Sequence, residues 1–279
     1  MAFAWLNGRI QPLARVGIGW DDAGFVWGAV VVDNARTHGG RLTRWADHLS
    51  RFRADCQACF VPLLVSDTEL TAAARELIRL NRQDGDLHVV TFATPGPPEG
   101  PPTIGIRTYP VREERNRRWR EQGVALVPAV NPHHPVGSAA TAFVSPTVKH
   151  RSRLAWWIAE RANTIQDTIP VFFDHARQTF TETAIANLFA VKDGEVVSPP
   201  PELVLDGITK RAVRELCQSL GIPLRCGTIA TLRRDHWDEL FLAGTGCDIV
   251  RVARIIGDPA IFGRTVSDRL IEAWTRLFV

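Results

Sequence analysis

Leu205-Asp206-Gly207-Ile208-Thr209 runs without interruption into a helical pattern that places Val213, Leu216, Cys217 and Leu220 on one side, and the fold turns on how this junction is read. Glycine at 207 lets the backbone come close to whatever lies in front of it. The Thr209 hydroxyl and the first helical N–H groups, which have no acceptor inside the helix, point outward. Together they make a ready cradle for a phosphate. Alone, the stretch is equally a turn glycine followed by an N-cap threonine, so its meaning depends on its surroundings.

Toward the C-terminus, the short strand Leu240 to Ala243 ends in Gly244-Thr245-Gly246, a second small-residue turn that can present backbone N–H groups and a hydroxyl to an anion or simply close a loop. A last helix runs from about Thr265 to Phe278. Toward the N-terminus, Asn187 to Val197 reads as strands around a Lys192-Asp193-Gly194-Glu195 turn. Just before it, Thr181-Glu182 sets a carboxylate at the edge of a β region. Such a group can pair with a protonated ring nitrogen or stand exposed at a strand end. Pro170 to Phe173 reads as a strand, and Leu154, Trp157, Ile158, Ala162 and Ile165 mark a helix.

The first hundred residues form an α+β unit. Trp5 to Arg9 is a strand turning at Asn7-Gly8. Phe25 to Arg36, with Val30, Val31 and Val32, reads as a buried strand. The stripe Leu42, Trp45, Leu49, Phe52, Cys56, Cys59 is helical, and Ser66-Asp67-Thr68-Glu69 is a capping box opening a second helix through Leu70, Ala73, Ala74, Leu77 and Ile78. Leu87 to Thr94 is a strand ended by Pro95-Gly96-Pro97-Pro98. The stretch from about Val111 to Val136 is charged at first, then rich in proline and histidine. The expected division is a small α+β domain over 1–115, a linker over 116–136 and a larger domain over 137–279.

The bulk numbers narrow the class. At 45% hydrophobic and 23% charged the chain is an ordinary globular protein, and a formal charge of +3 with scattered basic residues gives no reason to expect a nucleic-acid partner. The basic run Arg112 to Arg120, interrupted by Glu113 and Glu114, reads as a solvated face or linker. Met1 to Arg9 has no basic region followed by an apolar core, and no stretch approaches the roughly 18 apolar residues of a membrane span, so the cytoplasm is expected. Five cysteines, an odd number, suggest reduced thiols; Cys56 and Cys59, on the helical stripe, read as small buried hydrophobes. His133-His134 lacks a well-spaced third ligand, so no metal site is expected. No G-x-S-x-G, Walker A or G-x-G-x-x-G pattern occurs.

Only three of the 33 Lys and Arg residues are lysines: Lys149, Lys192 and Lys210. Lys149 follows Ser145-Pro146-Thr147-Val148, where Pro146 favours an extended approach. A partly desolvated lysine there has a lowered pKa and becomes a nucleophilic amine for Schiff-base chemistry. Lys192 sits in a polar turn and Lys210 beside Arg211 in a helix's first turn.

In order, these segments resemble the fold-type IV pyridoxal-5′-phosphate (PLP) enzymes, which include branched-chain and D-amino-acid aminotransferases and aminodeoxychorismate lyase. The resemblance runs through Trp5-Leu6-Asn7-Gly8, Gly24-Phe25-Val26-Trp27-Gly28, His48-Leu49-Ser50-Arg51-Phe52, Lys149, Thr181-Glu182 with Asn187-Leu188-Phe189, the Leu205 to Thr209 junction, and Asp238-Glu239-Leu240-Phe241-Leu242-Ala243-Gly244-Thr245. It implies an α+β fold, a small domain plus a larger one with a pseudo-barrel β core, acting as a homodimer. It further implies Lys149 as the Schiff-base residue and Glu182 as the partner of the pyridine nitrogen. Arg51, Gly207, Ile208, Thr209, Gly244 and Thr245 would hold the cofactor. Backbone N–H groups near Gly246 and Cys247 would face the substrate carboxylate, and Asp33 and Asn34 stand on the strand that lines the substrate side. The chain departs from the family after Gly28, where Ala29-Val30-Val31-Val32-Asp33 replaces an acidic residue, a glycine and an aromatic–Glu pair; Arg251 replaces a common proline, and Tyr109 is the only tyrosine.

Three activities are compatible with this pattern. Gly244-Thr245 with Asp248-Ile249 favours an aminotransferase acting on an amino acid and a 2-oxo acid. Lys149-His150 with Arg153-Leu154, and Ala35-Arg36, resemble the 4-amino-4-deoxychorismate lyase pattern, although Asn34 stands about where lyases place a threonine. The rewritten strand from Ala29 to Asp33 would suit a degenerate PLP-binding homologue. The joint presence of lysine, carboxylate and phosphate set speaks against the degenerate homologue, and Gly244-Thr245 with Asp248-Ile249 makes the aminotransferase the expected activity ahead of the lyase.

Overall fold

In the computed structural model, which describes residues 2–82, 85–130 and 145–278, the chain folds as two units, Met1–Val111 with Val148–Arg153 and Arg112–Thr147 with Leu154–Val279. In the first, β1 (Phe3–Leu6) and β2 (Arg9–Pro12) are joined at Asn7 and Gly8, whose φ angles of 43° and 85° are those of a tight hairpin turn. One helical turn, α1 (Ala23–Val26), is capped by Asp22 Oδ1, which accepts the Gly24 N–H at 2.7 Å. This cap takes Phe25 and Val26 out of the expected strand, and β3 spans Val31–His38. After β4 (Arg41–Leu42) and left-handed Arg44, helix α2 spans Trp45–Ala58. Helix α3 (Asp67–Asn81) starts at the capping residue Ser66, whose Oγ accepts the Glu69 N–H at 3.1 Å. Strands β5 (Leu87–Thr94) and β6 (Thr103–Pro110) complete a sheet ordered β2-β1-β6-β5-β3-β4 among the described residues.

Strand alternation divides that sheet's faces. Val31 and Ala35 of β3, Val89 and Ala93 of β5, and Ile104 and Ile106 of β6 pack with Leu49 and Phe52 of α2 and Leu70, Ala74 and Leu77 of α3. The segment Val148–Arg153 joins this unit at the start of β3: Val32 N–H donates to Lys149 O and Arg151 N–H to Val30 O, both at 2.9 Å.

The second unit begins with α4 (Glu113–Gln122) and β7 (Val124–Val130). Both lie in the stretch expected to be face or linker. Charged Glu113 to Arg120 is a helix, and Val-Ala-Leu-Val is a buried parallel strand between β14 and β8, whose continuous apolar run is typical of a strand covered on both faces. His133-His134 lie outside the described residues. Next come α5 (Leu154–Ala162), β8 (Thr168–Asp174), β9 (Thr179–Thr183), β10 (Asn187–Lys192), β11 (Glu195–Ser198), α6 (Ile208–Ser219), β12 (Leu224–Cys226), β13 (Glu239–Gly244), β14 (Asp248–Ile255) and α7 (Thr265–Phe278). Their order is β12-β11-β10-β13-β14-β7-β8-β9, and β9 pairs back on β10 through Glu182 and Asn187. That closure makes the expected barrel-like core. One side buries Leu126, Leu188, Leu240 and Val250; the other packs Phe189 and Phe241, stacked at 4.8 Å, against Val213 and Leu216 of α6 and Leu270 and Trp274 of α7. No described helix is long and apolar enough to cross a membrane.

Helix α7 depends on a buried acid from the sheet. Glu239, 3% exposed, accepts the N–H groups of Val266 and Ser267 at 2.7 and 2.8 Å and the Ser267 hydroxyl at 2.7 Å. A carboxylate there satisfies otherwise orphaned first-turn amides and complements the helix's positive end. Glu239→Ala leaves those donors buried without an acceptor, and urea unfolding should report a loss of about 2–3 kcal/mol. A loss below about 0.5 kcal/mol would mean that α7 is anchored by its apolar face alone.

Candidate functional site

The sequence-expected residues fall in two groups, one in each unit. In the first unit, Asp33, Arg51 and Lys149 share a buried charged cluster with His48 and Asp55. Arg51 is 5% exposed and donates from Nε and Nη2 to Asp33 Oδ2 at 2.9 and 2.7 Å, while His48 Nδ1 lies 2.5 Å from Asp33 Oδ1. Burial pushes the Asp33 carboxyl up, but Arg51, with His48 and Lys149, overrides it and holds Asp33 well below the usual carboxylate range. Burial lowers His48 against the opposing pull of Asp33, whose carboxylate faces its Nδ1. Asp33, expected at the substrate, therefore has both oxygens engaged in orienting Arg51 and His48. Asn34, the next residue on β3, points to the opposite sheet face, and its buried Oδ1 meets no hydrogen-bond donor among the described residues.

Asp55, which the sequence reading passed over, touches the lysine segment directly. Its Oδ2 accepts the Lys149 N–H at 3.0 Å. Burial raises its pKa to about 6, against the opposing pull of that hydrogen bond and of Arg51. Spacing in α2 gives no sign of this contact, because the two residues are 94 positions apart.

In the second unit one buried amide gathers three of the expected motifs. Asn187, 4% exposed, donates from Nδ2 to Glu182 Oε2 at 3.1 Å and to Leu205 O at 2.9 Å; Leu205 N–H donates to the same Glu182 oxygen at 3.2 Å. A Cβ at Gly207 would lie 2.2 Å from Asn187 Oδ1, so glycine is required in front of α6. Gly207 caps that helix without a side-chain hydrogen bond, leaving the amides of Ile208 and Thr209 for another acceptor. Ile208, Thr209 and Lys210 are all buried, and burial pulls Lys210 below the ordinary lysine range. Lys210 is thus a desolvated amine, not the ordinary helix lysine its neighbourhood suggested. Lys192 is half-exposed and lies 3.5 Å from Asp238.

The second small-residue turn adjoins this group. Asn187 pairs with Ala243, and a Cβ on Gly244 would strike the Ile185 carbonyl at 2.5 Å. Cys247 N–H donates to Gly244 O at 3.1 Å, closing a turn that continues through Asp248 at φ 60° into β14. The expected contact from the Cys247 amide is therefore spent inside the turn. Among the described residues no hydrogen bond takes the Thr245 or Gly246 N–H, and these are the two outward amides of the turn. Behind it, Asn116 Nδ2 and Arg115 Nη2 each donate to Gly246 O at 3.0 Å. No group of three or more His, Cys, Asp or Glu suited to a metal occurs among the described residues. The five cysteines are reduced thiols, and burial pushes the Cys56 thiol up to about 12, as suits a buried hydrophobe.

A family model of the class IV amino-transferases matches residues 30–255. The D-alanine aminotransferase of Staphylococcus haemolyticus is 22% identical over 291 residues, taking in 99% of this chain and 98% of the relative. The Escherichia coli branched-chain amino acid aminotransferase has the same fold, with a TM-score of 0.85 at 23% identity over 100% of this chain and 95% of its own. The T.th. branched-chain amino acid aminotransferase complexed with N-(5′-phosphopyridoxyl)-L-glutamate gives a TM-score of 0.81 at 20% identity, covering 99% of this chain and 93% of its own.

The raised pKa of Asp55 makes stability depend on pH in a defined sense. Between pH 4 and 6 the native state binds more protons than the unfolded chain, so this residue's contribution to stability falls as pH rises through that window. The carboxamide introduced by Asp55→Asn does not titrate, and the variant should gain on wild type by on the order of 2 kcal/mol from pH 4 to pH 7. Thermal melts of both proteins across that range check this; a difference independent of pH would remove Asp55 as a titrating group.

Proposed function

The chain belongs to the class IV amino-transferases, and we propose that it is a homodimeric cytoplasmic enzyme that uses PLP, bound through Lys149, to move an amino group between an amino acid and a 2-oxo acid. The observation that carries this reading is the Asn187 network, which draws the Glu182 carboxylate and the open N-terminus of α6 into one arrangement. Those residues fit a phosphorylated pyridine. The donors at α6 are uncapped amides and a hydroxyl suited to an anion, and Gly207, whose Cβ position Asn187 Oδ1 occupies, lets that amide stand directly before the helix.

In this assignment the amides of Ile208 and Thr209 and the Thr209 hydroxyl would hold the phosphate, together with Gly207, Gly244 and Thr245. Glu182, oriented by Asn187 and the Leu205 amide, would pair with the ring nitrogen and favour its protonated form. Arg51, the arginine we assign to the phosphate, is held in one orientation by Asp33. Bound there, PLP supplies an aldehyde and an electron-withdrawing ring that stabilises negative charge at the substrate's Cα. Lys149 Nζ is the amine for the aldehyde and, when neutral, the base that carries a proton to and from Cα. The amides of Thr245 and Gly246 are assigned to a carboxylate; Asn34, whose Oδ1 meets no donor among the described residues, is assigned to the substrate. Two apolar surfaces support a second copy as partner: Trp20, Phe25 and Trp27 in the first unit, 84%, 62% and 80% exposed, and Leu154 and Trp157 in the second. Five reduced thiols support a reducing compartment.

Two amines compete for the aldehyde, Lys149 and buried Lys210. Borohydride reduction of the PLP-loaded protein followed by peptide mapping should place the phosphopyridoxyl group on Lys149, and Lys149→Ala should lose turnover by about 10³-fold or more. Label on Lys210 instead would reassign the nucleophile. Absorbance half-reactions with a panel of L- and D-amino acids should convert the cofactor to its amine form with at least one of them. No conversion across the panel, together with pyruvate release from 4-amino-4-deoxychorismate without a 2-oxo acid, would replace the transferase by the lyase.

A further inference from the structure

We propose that Asn116, assisted by Arg115, is a positioning residue for the reaction: it grips the Gly246 carbonyl so that the Gly244–Cys247 turn keeps its two outward amides aimed at the substrate carboxylate. This rests on the reading of that turn as the substrate's anion site. The grip has little freedom. Asn116 is 0% exposed, although α4 around it is almost entirely charged. Its Oδ1 accepts from Arg115 Nε at 3.2 Å and Nη2 at 3.0 Å, which fixes the amide with Nδ2 toward Gly246. The Arg115 guanidinium in turn lies over the Trp119 ring at 4.3 Å.

The peptide joining Gly246 to Cys247 is thereby held at both ends. Its carbonyl takes two donors from α4, and its N–H donates to Gly244 O. On the other side, Gly244 is backed against Ile185 and Ala186 too closely for any side chain. A turn pinned on both sides cannot swing to meet an anion, so its outward amides must already face where the anion will sit. Donors fixed in advance need no reorganisation when charge arrives. Anchoring α4 is a separate task with its own contacts: Trp119 packs against the barrel core, and Arg251 Nη2 donates to the carbonyls of Arg120 and Glu121 at 2.9 and 3.2 Å. The buried amide at 116 is surplus to that task.

Asn116→Asp keeps the shape and the Arg115 contact but turns an acceptor toward the Gly246 carbonyl; Asn116→Ala removes the donor without adding charge. In the PLP-loaded enzyme, the KM for the best amino acid of the panel should rise about 10- to 100-fold in Asn116→Asp and less in Asn116→Ala, the loss expected of one charge-assisted hydrogen-bond position. Turnover at saturation and the bound-cofactor absorbance should hold within a few-fold. Hydrogen exchange at the Cys247 amide should quicken about tenfold in both variants. Unchanged KM with unchanged exchange overturns the proposal, as does a loss confined to melting temperature. If the wild-type enzyme converts no amino acid, the functional reading fails by itself, and the exchange rate alone decides the clamp: quickened exchange upholds it and unaltered exchange ends it.

Discussion

The amide of Asn187 has two acceptors to serve, Glu182 Oε2 and the Leu205 carbonyl, and it sits where β10 meets β9 and faces the loop before α6. Satisfying both from a buried position fixes three separate chain segments at once. A buried amide left half-bonded costs a large fraction of a typical domain's stability, so the arrangement is close to all-or-none. Gly207 follows from it, because Asn187 Oδ1 occupies the place of a Cβ there. The open helix end and the oriented carboxylate, the two features an anion-bearing aromatic ring would use, are both consequences of one residue that has no chemistry of its own.

The first unit solves a different problem, that of keeping charge inside. Asp33, His48 and Arg51 are each 5% exposed or less, and a lone charge at such depth would cost several kcal/mol. Arg51 and Asp33 offset each other through two hydrogen bonds to Oδ2, and His48 takes the remaining Asp33 oxygen. Asp55 is the group left over. Its pKa rises because burial disfavours the charged form, and the Lys149 amide and Arg51 only partly compensate. Removing either member of the Asp33–Arg51 pair would therefore strand the other, which makes the pair a poor place for substrate binding and a good one for holding an arginine still.

Local signals in the sequence carried much of this. Ser66 capping α3, the Asn7-Gly8 turn, strand β5 and helix α7 are written in consecutive residues, and the structure places each where the pattern does. The motif order carried the fold-type IV architecture. What escaped notice acts across long separations: Asn187 binding Leu205, Asp55 binding Lys149, and Asn116 binding Gly246, 130 residues apart. No periodicity reports such contacts. Strand β7 was hidden for another reason, since a buried parallel strand lacks alternation and this one lies between a charged helix and a proline-rich stretch.

The strand from Ala29 to Asp33 departs most from the family pattern, yet β3 keeps its pairing with β5 from Val31 to Arg36. Backbone pairing tolerates such exchange because β-branched residues suit a strand whichever face they occupy. Alternation then decides which changes matter. Val31 and Asp33 face the helices, where one is core and the other holds Arg51, whereas Val32 and Asn34 face away from them. Positions 32 and 34 can thus be exchanged while the core contact at 31 and the grip on Arg51 at 33 are kept. A solved branched-chain aminotransferase only 23% identical to this chain has the same fold, as expected where architecture rests on strand pairing and core patterning and not on identity at every position.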